Sequence, residues 1–326
     1  MSTGNDTADL GDPTRSDGAQ AALRHRVADD APTDAEVAGS RLRWWKELLF
    51  IGGFYLVYSF VRNLFGSAPS GDDIDATAAF QHARQVIDIE KALGLYFEAH
   101  LQRWYLDLPA LGLIRFWNIF YGTAHFVVTA GALFWLYRTD KPRYPRWRNT
   151  LALTTAVALV GFASYSLMPP RLLDAPGPYG ACRIHSPEAA AQAPAGADRF
   201  EGCDRYGYVD TIVVHGGWIS YDDDKAAGLT NQYAAMPSMH IGWATWSALV
   251  LAPMARRRWA KALVWSYPVL TLFAIMVTAN HYWIDAVGGL AALAVGAALA
   301  RRLTTWLQAR ANPELALDAA TASAAP

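Results

Sequence analysis

Six long apolar stretches constrain this chain more than any other feature, because about 20 mostly apolar residues can cross a bilayer as one helix. Hydrophobic residues make up 53% of the 326 residues, and a soluble protein of this length would struggle to cover so much apolar surface. The sequence therefore predicts an all-α polytopic membrane bundle of six transmembrane helices, at about 47–66, 111–137, 150–169, 236–254, 262–281 and 284–303.

The rest of the chain is predicted to form two tails and one surface helix. Residues 1–40 and 309–326 are polar and rich in small residues, so we expect disordered tails on either side of a six-span domain at 41–308. Between the first two spans, residues 76–101 have an amphipathic pattern that predicts a helix at the membrane interface, with apolar positions at Val86, Ile89, Leu93 and Phe97.

Basic residues predict the orientation, because cytoplasmic loops are enriched in Lys and Arg. We therefore expect both termini in the cytoplasm and the loop 170–233 on the outer face of the plasma membrane. Cys182 and Cys203 lie in that loop, where an oxidising environment permits a disulfide without establishing one. The four basic clusters that carry this prediction lie at 41–46, 138–148, 256–261 and 301–302.

The charge of the chain excludes one class of function. The formal net charge is −1, and the basic residues occur in short runs at the ends of predicted spans. Nucleic-acid binding needs an extended basic surface. We therefore expect the bilayer as a partner and no nucleic acid.

Three polar motifs interrupt the apolar sequence where predicted spans reach the outer face. They are Met168–Arg171 at the end of the third span, Met236–His240 at the start of the fourth, and His281–Asp285 where the fifth gives way to the sixth. Ionisable groups at membrane depth are costly and usually functional. Because the predicted topology brings all three motifs to one depth, the sequence predicts a single site there.

The residue types in these motifs fit chemistry at phosphorus. His281 and Asp285 are four residues apart, so in a helix the carboxylate would hold the imidazole in one tautomer and make it a nucleophile. His240 would protonate the leaving oxygen and then activate the acceptor. Arg171 would bind phosphate oxygens through its guanidinium, and Ser238 would form an anion site at a helix start.

Other polar residues have less defined roles. Tyr121, His125 and Tyr282 are candidates for substrate contact, although a structural hydrogen bond between helices explains His125 equally well. Asp210 and His215 lie in the outer loop, and we expect both to be solvated loop residues rather than ligands.

Two patterns resemble the second and third signatures of the type 2 phosphatidic acid phosphatase superfamily: Pro-Ser-x-His, ending at His240, and His-x-x-x-Asp, from His281 to Asp285. The resemblance covers about 45–305 and implies the helical fold that this superfamily shares with vanadium-dependent haloperoxidases. It also implies that His281 is the nucleophile, that Asp285 orients it and that His240 is the acid. The variants Met-Pro-Ser-Met-His and Thr-Ala-Asn-His-Tyr are more similar to the branch that contains fungal inositol phosphorylceramide synthase.

Two basic positions of the superfamily pattern are not basic here. Ser164 stands where its first signature has Lys, and Ala274 and Ile275 stand where its third signature begins Ser-Arg. Leu172 also replaces the Pro that follows the Arg of the first signature. Fewer positive charges favour a phosphodiester or a lipid-linked transfer over a highly charged phosphate monoester.

With this resemblance, the sequence predicts a membrane lipid phosphatase or phosphotransferase that acts on a lipid phosphate ester through a phosphohistidine. Transfer of an inositol-phosphoryl or similar headgroup to a lipid acceptor is one form of this activity, and no cofactor is expected. Two alternatives stay open: a metal site built from the histidines and Asp285, and a membrane transporter or lipid-binding scaffold with a polar outer-face site. The sequence does not determine the lipid donor, the acceptor, the choice between hydrolysis and transfer, or the oligomeric state.

Overall fold

The computed structural model of the chain describes residues 43–64, 73–108, 112–175, 179–184, 205–217 and 231–311. Within these ranges the chain is helical, apart from its connections and one isolated parallel bridge between Leu167 and Ala234. Two 3₁₀ turns, at Pro170–Leu172 and Ala252–Met254, accompany ten α-helices in the described part of the chain: α1 (Trp44–Leu64), α2 (Asp73–Ala92), α3 (Glu98–Leu106), α4 (Gly112–Thr139), α5 (Tyr144–Ser164), α6 (Ala181–Ile184), α7 (Thr211–His215), α8 (Met239–Leu251), α9 (Arg258–Val277) and α10 (Trp283–Ala311).

The all-helical prediction is confirmed for the described residues, and the two tails fall largely outside them. Residues 1–40 and 312–326 are not among the described residues. α10 continues past the predicted domain boundary at 308 and ends at Ala311.

Three helices in the described ranges are long and apolar enough to cross a membrane: Leu113–Thr139 within α4, Arg258–Val277 in α9, and Trp283–Leu307 within α10. They coincide with the second, fifth and sixth predicted spans. Helices α1, α5 and α8 form at the other three, but α8 has only 13 residues, which is about 20 Å of helix. Apolar helices of this kind indicate an integral membrane protein, and the count of six spans stays a prediction.

α10 packs closely against α5 and α8 because two of its three glycines lie at these contacts. A Cβ at Gly289 would lie 2.2 Å from the carbonyl oxygen of Ser238, just before α8. A Cβ at Gly296 would lie 2.4 Å from Oγ1 of Thr154 in α5. Both distances are far below van der Waals contact, so a larger residue would push α10 away. Because α10 carries Asp285, this packing sets the position of that carboxylate relative to α8.

The third predicted span ends earlier than its apolar pattern indicates. α5 stops at Ser164, and the backbone N–H groups that follow bond to distant segments. Leu167 donates to the carbonyl of Tyr233 at 2.7 Å, and Met168 donates to that of Ala79 at 3.1 Å. Leu167 and Met168 are fully buried, so apolarity alone could not distinguish this non-helical segment from a helix. The segment leads into the 3₁₀ turn that carries Arg171.

The predicted amphipathic helix at 76–101 is two helices, α2 and α3. Gly94 lies between them with φ +70°, a left-handed conformation that glycine adopts readily and that commonly ends a helix. The prediction of one continuous helix was therefore wrong. Its apolar face is also divided, because Val86 is buried whereas three residues are exposed to 48%, 58% and 42%: Ile89, Leu93 and Phe97.

Candidate active site

His281 and Asp285 are in contact, although not as two positions within one helix. His281 lies in the connection before α10, and Asp285 lies in the first turn of α10. Oδ2 of Asp285 accepts hydrogen bonds from the backbone N–H of Tyr282, at 3.0 Å, and from Nδ1 of His281, at 3.2 Å. The bond to the backbone is the one that the acidic residue of a capping box makes. The start of α10 thus fixes the carboxylate and the imidazole together.

The bond to Asp285 determines which nitrogen of His281 carries a proton. An ionised carboxylate only accepts hydrogen bonds, so Nδ1 is protonated and Nε2 keeps its lone pair. Both side chains are buried, with 5% of His281 and none of Asp285 exposed. Nε2 of His281 lies 3.3 Å from Nδ1 of His240. The structure therefore brings the two predicted catalytic histidines together.

His240 lies in the first turn of α8 and contacts two rings from α4. Its ring stacks on Tyr121 with centroids 4.3 Å apart, and it meets His125 edge-on, also at 4.3 Å. Nδ1 of His125 is 3.0 Å from the carbonyl oxygen of Tyr121. α4 therefore holds the ring of His240 in place, and His125 combines an intrahelical hydrogen bond with a position beside that ring.

Arg171 reaches the same site from the 3₁₀ turn, and every nitrogen of its guanidinium donates a hydrogen bond. The acceptors are Oδ1 of Asn280 at 3.0 Å, Oδ2 of Asp210 at 2.7 Å and Oε1 of Gln232 at 2.6 Å. The backbone N–H of Arg171 also donates to the carbonyl of Ala279, at 2.7 Å. Because these partners come from three distant segments, the guanidinium is held in one position before any substrate binds.

Asp210 was predicted to be a solvated loop residue, and that prediction was wrong. Its side chain is only 10% exposed and forms an ion pair with Arg171. Its other oxygen, Oδ1, accepts from the backbone N–H groups of Ile212 and Val213 and so caps α7. A partner 39 residues away in the chain leaves no local signal in the sequence, which is why Asp210 was missed. His215, at the end of α7, is half-buried.

These groups surround a cavity of about 310 Å³. Amide and aromatic side chains, such as Asn231 and Trp243, form much of the remaining wall. Among the described residues of the wall, Arg171 is the one side chain with a permanent positive charge, and none is acidic. The cavity is therefore suited to a small anion of low charge. Five predicted site residues line it: Tyr121, His125, Arg171, His240 and His281.

Two predicted contact residues lie behind this wall rather than in it. Ser238 is the N-cap residue of α8, but its Oγ is buried and has no hydrogen-bond partner among the described residues. Its backbone N–H donates to the carbonyl of Asp285 at 2.9 Å. Tyr282 is fully buried, and its hydroxyl donates to the carbonyl of Met168 at 3.2 Å. Both residues thus join the start of α10 to its neighbours, and neither lines the cavity.

Sequence reasoning missed two buried glutamates, Glu90 and Glu98, and Glu98 supports the start of α10. Oε1 of Glu98 accepts a hydrogen bond from the backbone N–H of Trp283 at 3.1 Å. Burial, and then the negative charge of Glu98, raise the pKa of Glu90 to about 9, so Glu90 is protonated at neutral pH. Acidic residues in a predicted amphipathic segment are indistinguishable from a solvated face, so no signal in the sequence marked them.

The described residues bear on two further predictions, the disulfide in the outer loop and the metal site. Cys182 is disulfide-bonded, and Cys203, the second cysteine of the chain, lies outside the described residues. Within the described part of the chain, no group of three or more His, Cys, Asp or Glu side chains is arranged to hold a metal ion. The described residues therefore give no support to the metal alternative.

A family model described as the PAP2 superfamily matches residues 84–299, which is more than half of the chain. The match names no branch. It contains every described residue of the cavity wall except Tyr55 and Tyr58 of α1. No match was found among curated proteins or among solved structures. Members of this superfamily are phosphatases, so the match supports a phosphatase-type, lipid-related function. By this match, and with Arg171, His240 and His281 around one cavity, the chain belongs to the PAP2 superfamily.

Proposed function

We propose that this protein is a membrane lipid phosphatase or phosphotransferase that forms a phosphohistidine at His281. The observation that carries the proposal is that Asp285, His281 and His240 contact one another in sequence beside the cavity that Arg171 also lines. Asp285 holds one nitrogen of His281, the other nitrogen faces His240, and Arg171 lies in the same wall. A nucleophile, a group that orients it, an acid and an anion-binding residue are the set that phosphoryl transfer through a covalent intermediate needs.

In the first step, the lone pair on Nε2 of His281 attacks phosphorus. The P–N bond forms as the bond to the leaving oxygen breaks, and His240 gives that oxygen a proton. The imidazole becomes cationic, and the carboxylate of Asp285 stabilises it from the opposite side. Because the two histidine rings are now 3.3 Å apart at their nitrogens, substrate binding must separate them so that phosphorus can reach Nε2.

In the second step, a hydroxyl group enters from the side that the leaving group vacated. His240, now without its extra proton, accepts the proton of that hydroxyl as its oxygen bonds to phosphorus and the P–N bond breaks. Water as the acceptor gives hydrolysis, and a lipid or polyol hydroxyl gives transfer. The chemistry of the histidines is the same in both cases, so the acceptor that the cavity admits decides the outcome.

The charge of the cavity favours a phosphodiester substrate. Arg171 is the one permanent cation among the described wall residues, and its ion pair with Asp210 already compensates that charge. A phosphate monoester carries up to two negative charges at neutral pH, whereas a phosphodiester carries one. We therefore favour transfer of an inositol-phosphoryl or similar headgroup, as in the branch of inositol phosphorylceramide synthase, over hydrolysis of a phosphate monoester.

We also propose the membrane arrangement that the basic clusters predict. α1, α5 and α8 would join the three apolar helices α4, α9 and α10 as spans of one domain at 41–308. Both termini would lie in the cytoplasm, and the cavity would open at the outer face of the plasma membrane. A lipid phosphate ester in the outer leaflet would then reach His281 without crossing the bilayer.

The experiment that tests this function uses purified protein and a panel of radiolabelled phospholipids, with and without ceramide, diacylglycerol or inositol as acceptors. We expect an acid-labile, base-stable phosphoenzyme in the wild type. His281→Ala should form no phosphoenzyme, and both His281→Ala and His240→Ala should lose turnover while keeping the wild-type unfolding temperature. Turnover in either folded variant would refute the mechanism. Lipid binding without turnover in the wild type would instead support the transporter or scaffold alternative.

A further inference from the structure

A second cavity adjoins the candidate active site. It has a volume of about 360 Å³ and lies between α1, α4, α5 and α8. Four residues line both cavities, Tyr55, Tyr58, Phe126 and Trp243. The two cavities therefore lie side by side, and one set of aromatic side chains borders both.

The wall of the second cavity is almost entirely apolar, and two of its polar side chains, Trp243 and Thr155, already have partners. The indole N–H of Trp243 donates to Oγ1 of Thr155 at 3.0 Å. Thr155 in turn donates to the carbonyl of Leu151 at 2.9 Å. A hydrocarbon chain needs no hydrogen bonds, so this wall suits one.

The two cavities together have the length of a lipid chain. Along α5, the wall extends from Phe162, which lines the candidate active site, to Arg148, which lines the far end of the apolar cavity. At 1.5 Å per residue, these positions are roughly 21 Å apart. One leaflet contributes about half of the roughly 30 Å hydrocarbon core of a bilayer, so an acyl chain fits within this length.

A buried ion pair closes the far end. Arg148 pairs with Glu47 of α1, and their side chains are 18% and 12% exposed. The guanidinium also lies over the ring of Phe50, 4.6 Å from its centroid. A hydrocarbon chain cannot displace this pair without leaving a charge unpaired, so the pair limits how long a chain can be accommodated.

We propose that the apolar cavity binds an acyl chain of the lipid whose phosphate lies beside Arg171 and His281. This inference rests on the proposed function and names the part of the substrate that the site selects. The wall supplied by α1 (Trp44–Leu64) precedes the range matched by the family. The family match therefore does not include this part of the cavity wall.

The test introduces a bulky side chain on α1 that fills part of the apolar cavity. Gly52 lines this cavity and its neighbour Gly53 does not, and at both positions an added Cβ would meet no atom within 4 Å. Gly53→Trp is therefore a matched control for Gly52→Trp. Each variant is assayed with two substrates that share a headgroup and differ only in chain length, one palmitoyl and one butyryl.

We expect Gly52→Trp to lower kcat/KM for the palmitoyl substrate by about tenfold or more and to leave the butyryl substrate unchanged. Gly53→Trp should change neither. An equal loss on both substrates, or no loss on either, would overturn the inference even though the proposed function stands.

A second measurement does not depend on turnover. A phospholipid with a photoactivatable group near the end of a palmitoyl-length chain should crosslink to Leu151 of the cavity wall in the wild type, and less so in Gly52→Trp. Crosslinks confined to Leu56 and Val57, which are exposed outside this wall, would show bulk lipid only and would also overturn the inference. Crosslinking at Leu151 in a protein without any turnover would refute the proposed function alone.

Discussion

The contact between Asp285 and His281 makes a quantitative prediction about Asp285→Asn. Asparagine keeps the shape of aspartate and removes its charge. Its amide oxygen must stay at the position of Oδ2, because the N–H groups of Tyr282 and His281 both point there. An amide nitrogen in that place would put its own N–H donors against the two N–H donors of Tyr282 and His281. The variant should therefore keep both hydrogen bonds and lose only their charge assistance.

The expected loss follows from the burial of the pair. A hydrogen bond to a charged group contributes about 1.5–3 kcal/mol and a neutral one about 0.5–1.5 kcal/mol, so loss of the charge alone costs about 1–1.5 kcal/mol. Each 1.36 kcal/mol changes a rate by about tenfold, so we expect kcat for Asp285→Asn to fall by about 5- to 13-fold. KM should change little, because Asp285 does not line the cavity. His281→Ala should lose all measurable turnover, because it removes the nucleophile itself.

The variant should also be somewhat less stable than the wild type. Oδ1 of Asp285 has no hydrogen-bond partner among the described residues, so the amide nitrogen of asparagine would be buried there without an acceptor. Leaving such a donor unpaired costs about 1–3 kcal/mol.

The assay combines steady-state kinetics in detergent with thermal unfolding of the same preparation. A folded Asp285→Asn variant with wild-type kcat would refute the orienting role. A folded variant as inactive as His281→Ala would show that Asp285 does more than orient and stabilise the imidazole.

Three further predictions follow from other parts of the structure. Vanadate, which adopts the geometry of phosphoryl transfer, should inhibit turnover and EDTA should not; activity lost in EDTA and restored by zinc or magnesium would support the metal alternative. The pKa of Glu90 is about 9 in the folded protein against 4.5 ordinarily, so the wild type should lose stability, by a few kcal/mol at most, as pH rises from about 4.5 to about 9. Glu90→Gln cannot ionise, so its unfolding temperature should fall less over the same pH range. Equal falls in unfolding temperature for the two proteins would contradict the raised pKa of Glu90. In intact cells, a membrane-impermeant thiol reagent should label Cys203 only after reduction, and labelling that requires permeabilised membranes would invert the proposed topology.

Much of this protein could be predicted from local sequence. Apolar stretches of span length indicated where long helices form, and the structure has a helix at each of the six. The motifs around Arg171, His240 and His281 could also be recognised, since each is a short pattern of neighbouring residues. Patterns of this kind are visible in a sequence because burial and backbone geometry act over a few residues at a time.

Local sequence was less informative about where helices end. The apolar residues Leu167 and Met168 continued the pattern of the third span, yet α5 stops at Ser164. Their backbone groups instead bond to Tyr233 and Ala79, which no pattern within the span could indicate. Apolarity reports burial and does not report which partner a backbone N–H finds.

The chain's tertiary structure decided the roles of the residues around the site. Asp210 became the partner of Arg171 although 39 residues separate them, and Glu98 came to support the start of α10 from α3. Ser238 and Tyr282 belong to the motifs, yet both lie behind the cavity wall. Sequence determines which chemical groups a segment carries, whereas the direction of a side chain and its partners depend on how distant helices pack.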